Sequence, residues 1–195
     1  MLALLKHTIT KNLQRIFWIY WTDNFVIESV SGMKEIEPAI PCTLLPITLN
    51  NYFRVKDFRE ESRVLEYREK LTRKELGFFC QSNGRMVGSI WATMNDTDQP
   101  IVARMYMRLL PKEALIHDIV TGPQFRGMGV GPFMVEKTAL QLLTVIGVTR
   151  IIVDVNVRNR PSLRMMGKMG LEMKERMLYV SALGRLVLQK PIRSA

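Results

Sequence analysis

The chain has 195 residues, enough for one domain with a substantial core and a short addition. Apolar residues make up 47% and charged residues 24%, a balance that excludes a mainly disordered chain. The net charge of +10 favours anionic partners (nucleotide phosphates, nucleic acid or an acidic membrane surface) without choosing among them. The aromatic share is 8% and does not cluster with arginine, so a nucleic-acid partner is not expected. Cys42 and Cys80 form no CxxC pair and no zinc-spaced Cys/His cluster, which predicts a reducing, cytoplasmic setting and no metal.

In chain order, Leu4, Leu5, Ile9, Leu13, Ile16 and Phe17 recur at helical spacing, with Lys6, Lys11 and Arg15 between them. This predicts an amphipathic helix over residues 1–21. It packs on the domain or on a second subunit, as in a homodimer, or else lies on anionic lipid as a peripheral membrane contact. No apolar run in it is long enough to span a bilayer. Residues 25–30 alternate weakly as a first strand, and residues 31–50, with Pro38, Pro41 and Pro46, read as a linker. Residues 1–50 are therefore taken as an N-terminal extension and 51–195 as the main domain. Residues 50–74 place apolar side chains among charges, the pattern of one or two surface helices. Asn83-Gly84 between the apolar runs 76–81 and 86–94 predicts a hairpin. Residues 101–109 and 114–121 read as strands, 132–146 as a helix opened by Pro132, 149–156 as a strand, and 161–169 as a helix stopped by Gly170. Residues 171–180 and 185–189 read as a closing hairpin. Hairpins followed by a β-α-β-α-β half predict an α/β fold with a mixed sheet.

The richest segment is Thr121-Gly-Pro-Gln-Phe-Arg-Gly-Met-Gly-Val-Gly131. Gly127, Gly129 and Gly131 lie between a strand and a helix, where bare backbone N–H groups and the helix dipole make a site for a pyrophosphate, with Arg126 beside it. No Gly-Lys-Ser/Thr is present, which excludes a P-loop, and Pro132 stands where a dinucleotide fingerprint needs its third glycine. Arg126-Gly-Met-Gly-Val-Gly131 does fit the pattern Arg/Gln-x-x-Gly-x-Gly/Ala, with its Pro-x-Phe-Arg-Gly lead-in from Pro123. Downstream, Asn159, Ser162, Lys168 and Gly170 fall in register with Asn-x-x-Ser/Ala…Lys-x-Gly-Phe, with Leu171 in place of Phe.

On these two motifs the chain resembles the GNAT superfamily of acyl-CoA-dependent N-acyltransferases over residues 76–180. The resemblance implies a mixed, mostly antiparallel central sheet splayed between two parallel strands, with helices on both faces. It implies N-acyl transfer from acetyl-CoA or another acyl-CoA to an amine of a small molecule, sugar or peptide, by direct attack and without a metal. Carried over, the pyrophosphate rests on Arg126, Gly127, Met128, Gly129, Val130 and Gly131. The pantetheine pairs with Ile119, Val120 and Thr121, and Asn159 and Ser162 face it. His117 is the candidate base; strand alternation puts it on the side of Ile119 and Thr121, with Asp118 opposite as the alternative base. A departure is Met166, which stands where many members carry a tyrosine acid, leaving that role to Tyr179 or water. The alternatives are a non-catalytic acyl-CoA-binding module and a basic interaction protein.

Overall fold

The structure, a computed structural model, describes residues 17–183 and 185–192. Its ten strands are β1 (Phe17–Ile27), β2 (Thr43–Pro46), β3 (Leu76–Ser82), β4 (Arg85–Met94), β5 (Ile101–Ala103), β6 (Met107–Leu109), β7 (Glu113–Thr121), β8 (Arg150–Asn156), β9 (Met173–Ala182) and β10 (Arg185–Ile192). The α-helices are α1 (Val64–Thr72), α2 (Val130–Leu140) and α3 (Arg160–Lys168). An eight-stranded sheet runs β10-β9-β1-β8-β7-β4-β3-β2, and β5 and β6 form a separate hairpin. Every pairing in the large sheet is antiparallel except β7 with β8. The expected α/β fold is present.

The layers follow from which residues each strand turns to each face. On one face, α2 and α3 press Val130, Met134, Val135 and Met166 onto Ile90, Ile116, Ile151 and Val153. On the other, α1 sets Tyr67 against Phe79 and Trp91, and the β5–β6 hairpin sets Tyr106 and Leu109 against Leu115, Ile152 and Tyr179. The β3–β4 turn takes left-handed conformations at Asn83 (φ 46°) and Gly84 (φ 78°), as its sequence predicts. Residues 101–109, expected as one strand, fold back at Arg104 (φ 50°) and Met105 (φ 67°), a turn that carries neither Asn nor Gly. Residues 132–146 begin as α2 and end in a π-helical turn, Gln141–Ile146, closed by Gly147 at φ 82°.

The N-terminal region departs from its sequence reading. Residues 17–21, placed in an amphipathic helix, begin β1, and residues 1–16 lie outside the described residues. Within 17–21 the strand period wins: Ile19 and Trp21 are exposed, while Trp18 and Tyr20 pack inward. β1 lies inside the sheet, between β8 and β9, and Asp23 receives two hydrogen bonds from Arg176 of β9, at 2.6 and 3.0 Å. Among the described residues no helix is long and apolar enough to cross a membrane.

Candidate active site

The glycine loop leaves β7, makes a short 3-10 turn (Pro123–Phe125) and enters α2 with Gly127 at φ 81° and Gly129, the N-cap, at φ 77°. Phe133 N–H donates to the Gly129 carbonyl. Among the described residues, the amides of Gly127, Met128, Gly129, Val130 and Gly131 find no backbone acceptor outside regular elements. Unpaired donors at a helix N-terminus are what a phosphate-bearing ligand requires. A pocket of about 400 Å³ opens there, lined by Ile119, Thr121, Arg126, Gly127, Gly129, Val130 and Gly131 from the loop side and by Ser162, Arg164 and Lys168 of α3. Met128 and Val120 do not line it: Met128 is turned to solvent, its carbonyl taken by Ala39 N–H at 2.9 Å, and Val120 pairs with Ser89.

β7 and β8 pair only from Glu113↔Arg150 to Ile116↔Val153, and beyond that point they splay. The gap is a cleft of about 210 Å³ lined by Ile116 to Ile119 on one strand and Asp154 to Asn156 on the other, with Asn159 and Ser162 at its far side. Asn159 is also the N-cap of α3, its Oδ1 accepting from Ser162 N–H at 3.3 Å. The open edge of β7 thus runs from the cradle into the cleft.

His117 and Asp118 both line this cleft, which the alternation of a regular strand forbids. Between Trp91↔His117 and Ser89↔Val120, β7 spends one more residue than β4, and Asp118 takes φ 46°. This bulge resets the faces, so the expected opposition of His117 and Asp118 does not hold.

The two side chains have different electrostatics. Asp118 pairs with Lys70 and lies 3.6 Å from Arg59. Burial works against its charge, but the two cations outweigh it and hold the carboxyl below its ordinary range. An ionised, doubly engaged carboxylate is a weak base. His117 is 4% exposed; its Nε2 lies 3.0 Å from Thr93 Oγ1 and 3.4 Å from Glu75 Oε2. Burial, reinforced by the charges of Arg104 and Lys70, drives its pKa down to about 3 against the opposing pull of the Asp118 carboxylate. The imidazole is therefore neutral, and not poised near pH 7 as its residue type suggests. His117 Nδ1 is buried and has no hydrogen-bond partner, and neither has Glu75 Oε2.

A larger cavity of about 800 Å³ continues from His117 and Asp118 toward solvent, between α1 and the β5–β6 hairpin, with Trp18, Tyr20 and Tyr106 on one wall. Sequence reasoning missed Glu75, Lys70, Thr93, Arg104 and Tyr20, since nothing in their local spacing announces that distant strands meet here. Met166, on α3, is fully buried. Tyr179 is fully buried too, its hydroxyl 3.7 Å from Met107 Sδ and its pKa pushed up to about 12 by burial, so it faces the core and not the cleft.

The family model for the Acetyltransferase (GNAT) family matches residues 44–171. A search of curated proteins finds no match. Among solved structures, a functionally unknown conserved protein from Staphylococcus epidermidis is similar at TM-score 0.60 and 13% identity, over 88% of this chain and 64% of that one. The aminoglycoside N-acetyltransferase AAC(6')-Iy, in complex with a CoA bisubstrate analogue, is similar at TM-score 0.54 and 14% identity, over 69% of this chain and 93% of that one. A GCN5-related N-acetyltransferase from Kribbella flavida is similar at TM-score 0.51 and 11% identity, over 88% of this chain and 62% of that one. The chain thus spans under two thirds of the first and third of these proteins, at 64% and 62%. The likenesses concern the fold; the sequence pattern, matched over residues 44–171, goes further, and the chain belongs to the GNAT acetyltransferase family.

Proposed function

We propose that the protein is an acyl-CoA-dependent N-acyltransferase that acylates an amine on a small molecule, sugar or peptide. The observation that carries this reading is the run of unpaired amides at 127–131, opening onto the cleft where β7 leaves β8. The residues fit a CoA-type ligand: N–H donors and Arg126, Arg164 and Lys168 for the phosphates, and a free strand edge for the pantetheine. One structural relative is an aminoglycoside N-acetyltransferase in complex with CoA, which supports the same chemistry class here.

When bound, acyl-CoA supplies the acyl group as a thioester. The chain itself would position the two reactants. A main-chain N–H of β7 beside the cleft would stabilise charge on the acyl oxygen. The attacking amine would hydrogen-bond to His117 Nδ1, which has no partner of its own, and the proton that it loses would leave through the wide cavity to solvent.

Calorimetric titration with acetyl-CoA and CoA, on the intact protein and on Gly127→Asp, tests the reading. A Cβ at Gly127 meets nothing within 4 Å, and aspartate tolerates the left-handed backbone, so the variant folds but aims a negative charge into the cradle. Micromolar binding that the variant weakens by about tenfold or more is expected, from loss of about 1.4 kcal/mol. No binding by the intact protein, or equal binding by both, removes the proposal. Binding without thiol release against any amine favours a non-catalytic acyl-CoA-binding module.

A further inference from the structure

We propose that the acceptor is amino-acid-like: a primary amine with a carboxylate close to it and an apolar or aromatic side group. This rests on the acyltransferase reading and names the substrate class of that same site.

Charge in the 800 Å³ cavity and the cleft it feeds is unevenly spent. Three lining acids hold a cation through at least one oxygen, while Glu75 Oε2 and Asp154 Oδ1 have no partner. Glu66 lies 2.9 Å from Arg63 and 3.3 Å from Lys70, Glu75 Oε1 lies 2.8 Å from Arg73, and Asp118 holds Lys70 and Arg59. Those pairs also satisfy Lys70 and Arg73. Among the described residues, Arg104 is the lining cation with no ion pair. The buried acid in its field, Asp154, has its Oδ2 on the Tyr106 hydroxyl at 2.5 Å. Arg104 borders both the cavity and the cleft, as His117 does.

The backbone holds Arg104 there at a cost. It occupies the first of two left-handed positions at the β5–β6 tip, at φ 50° with Met105 at φ 67°. Both are strained there, where Asn-Gly would be at ease. The turn aims a guanidinium over the cavity, where no carboxylate among the described residues pairs with it.

The inner wall has the opposite need. His117 Nδ1 and Glu75 Oε2 are buried polar atoms without a partner. An amine at that end satisfies them, and a carboxylate answers Arg104 across the cavity. The rings of Trp18, Tyr20 and Tyr106, 5.4 to 5.8 Å apart, give the remaining wall an aromatic face for the side group. A polycationic aminosugar fits worse, because Glu66 and Asp118 already hold cations and Arg104 would repel its extra ammonium groups.

The test uses the full chain with acetyl-CoA and two mixtures: the common L-amino acids, and the matching amines that lack the carboxylate. Products are identified by mass, and acetyl-CoA binding is measured on the same preparation. The amino acids are expected to react about 10- to 100-fold better in kcat/KM than their decarboxylated partners, the range of one charge-assisted hydrogen bond. In Arg104→Gln, an exposed position, that ratio collapses to near one, mainly through KM for the amino acid. Preference for the decarboxylated amines or for a polycationic aminosugar overturns the proposal, as does an Arg104→Gln variant that keeps the ratio. Acetyl-CoA binding with no amino acid acylated overturns it too and leaves the family chemistry standing. Absence of acetyl-CoA binding removes the acyltransferase reading itself.

Discussion

His117 shows how burial redefines a residue chosen for its type. An imidazole in water titrates near pH 6.5, but here desolvation holds it neutral down to about pH 3. The unfolded chain binds its proton below about pH 6.5 and the folded chain does not until about pH 3, so between those values the unfolded state carries more protons. Stability from this residue is therefore complete above about pH 6.5 and falls as pH drops through the window, by about 1.4 kcal/mol at most for each pH unit crossed. Chemical denaturation at a series of pH values checks this: His117→Gln is expected to flatten the slope between about pH 6 and 4. A variant with the same slope as the intact protein shows that another group carries it.

At the scale of elements, the polypeptide between β1 and β2 is more than a linker. It ties the end of α3 to the glycine loop, with Lys34 N–H on the Met169 carbonyl at 2.8 Å and Ala39 N–H on the Met128 carbonyl at 2.9 Å. A Cβ on Gly129 would come within 2.9 Å of the Glu37 carbonyl oxygen and of Pro38 Cα, whereas one on Gly127 meets nothing within 4 Å. Both glycines have positive φ, so alanine at either strains the backbone by about 1 kcal/mol, and at 129 it also displaces the strap. Urea unfolding is expected to show Gly129→Ala losing about 2–3 kcal/mol against about 1 for Gly127→Ala. Equal losses mean that the strap yields freely. The contrast also marks what the sequence makes legible. The alternating glycines, the Asn83-Gly84 hairpin and the strands flanking α2 show in local pattern, because turns and helix starts are written in adjacent residues. The strap, the bulge at Asp118 and the approach of Glu75 to His117 depend on segments far apart in the chain. A strand's pattern says that it has a face, and not which strand lies beside it.

At the scale of the molecule, β1 and charge act together on the site. By lying between β8 and β9, β1 brings Trp18 and Tyr20 to the cavity, so the region before residue 44 supplies part of that cavity's wall. The net charge of +10 is a solvated surface for much of its extent, but Arg126, Arg164 and Lys168 gather around the cradle. These three are exposed, so their attraction for phosphate is open to screening. At about 0.5 to 1 kcal/mol each they contribute roughly 1.5 to 3 kcal/mol at low salt. Raising NaCl from about 50 to about 500 mM shortens the Debye length severalfold and removes much of this. The Kd for CoA is then expected to rise by about tenfold. Arg164→Gln with Lys168→Gln should weaken binding at low salt and flatten its salt dependence, while the cradle amides keep their share. A Kd indifferent to salt assigns the affinity to those amides and the pantetheine edge alone, and leaves the basic excess as surface. A double variant as salt-sensitive as the intact chain moves the phosphate contacts away from α3.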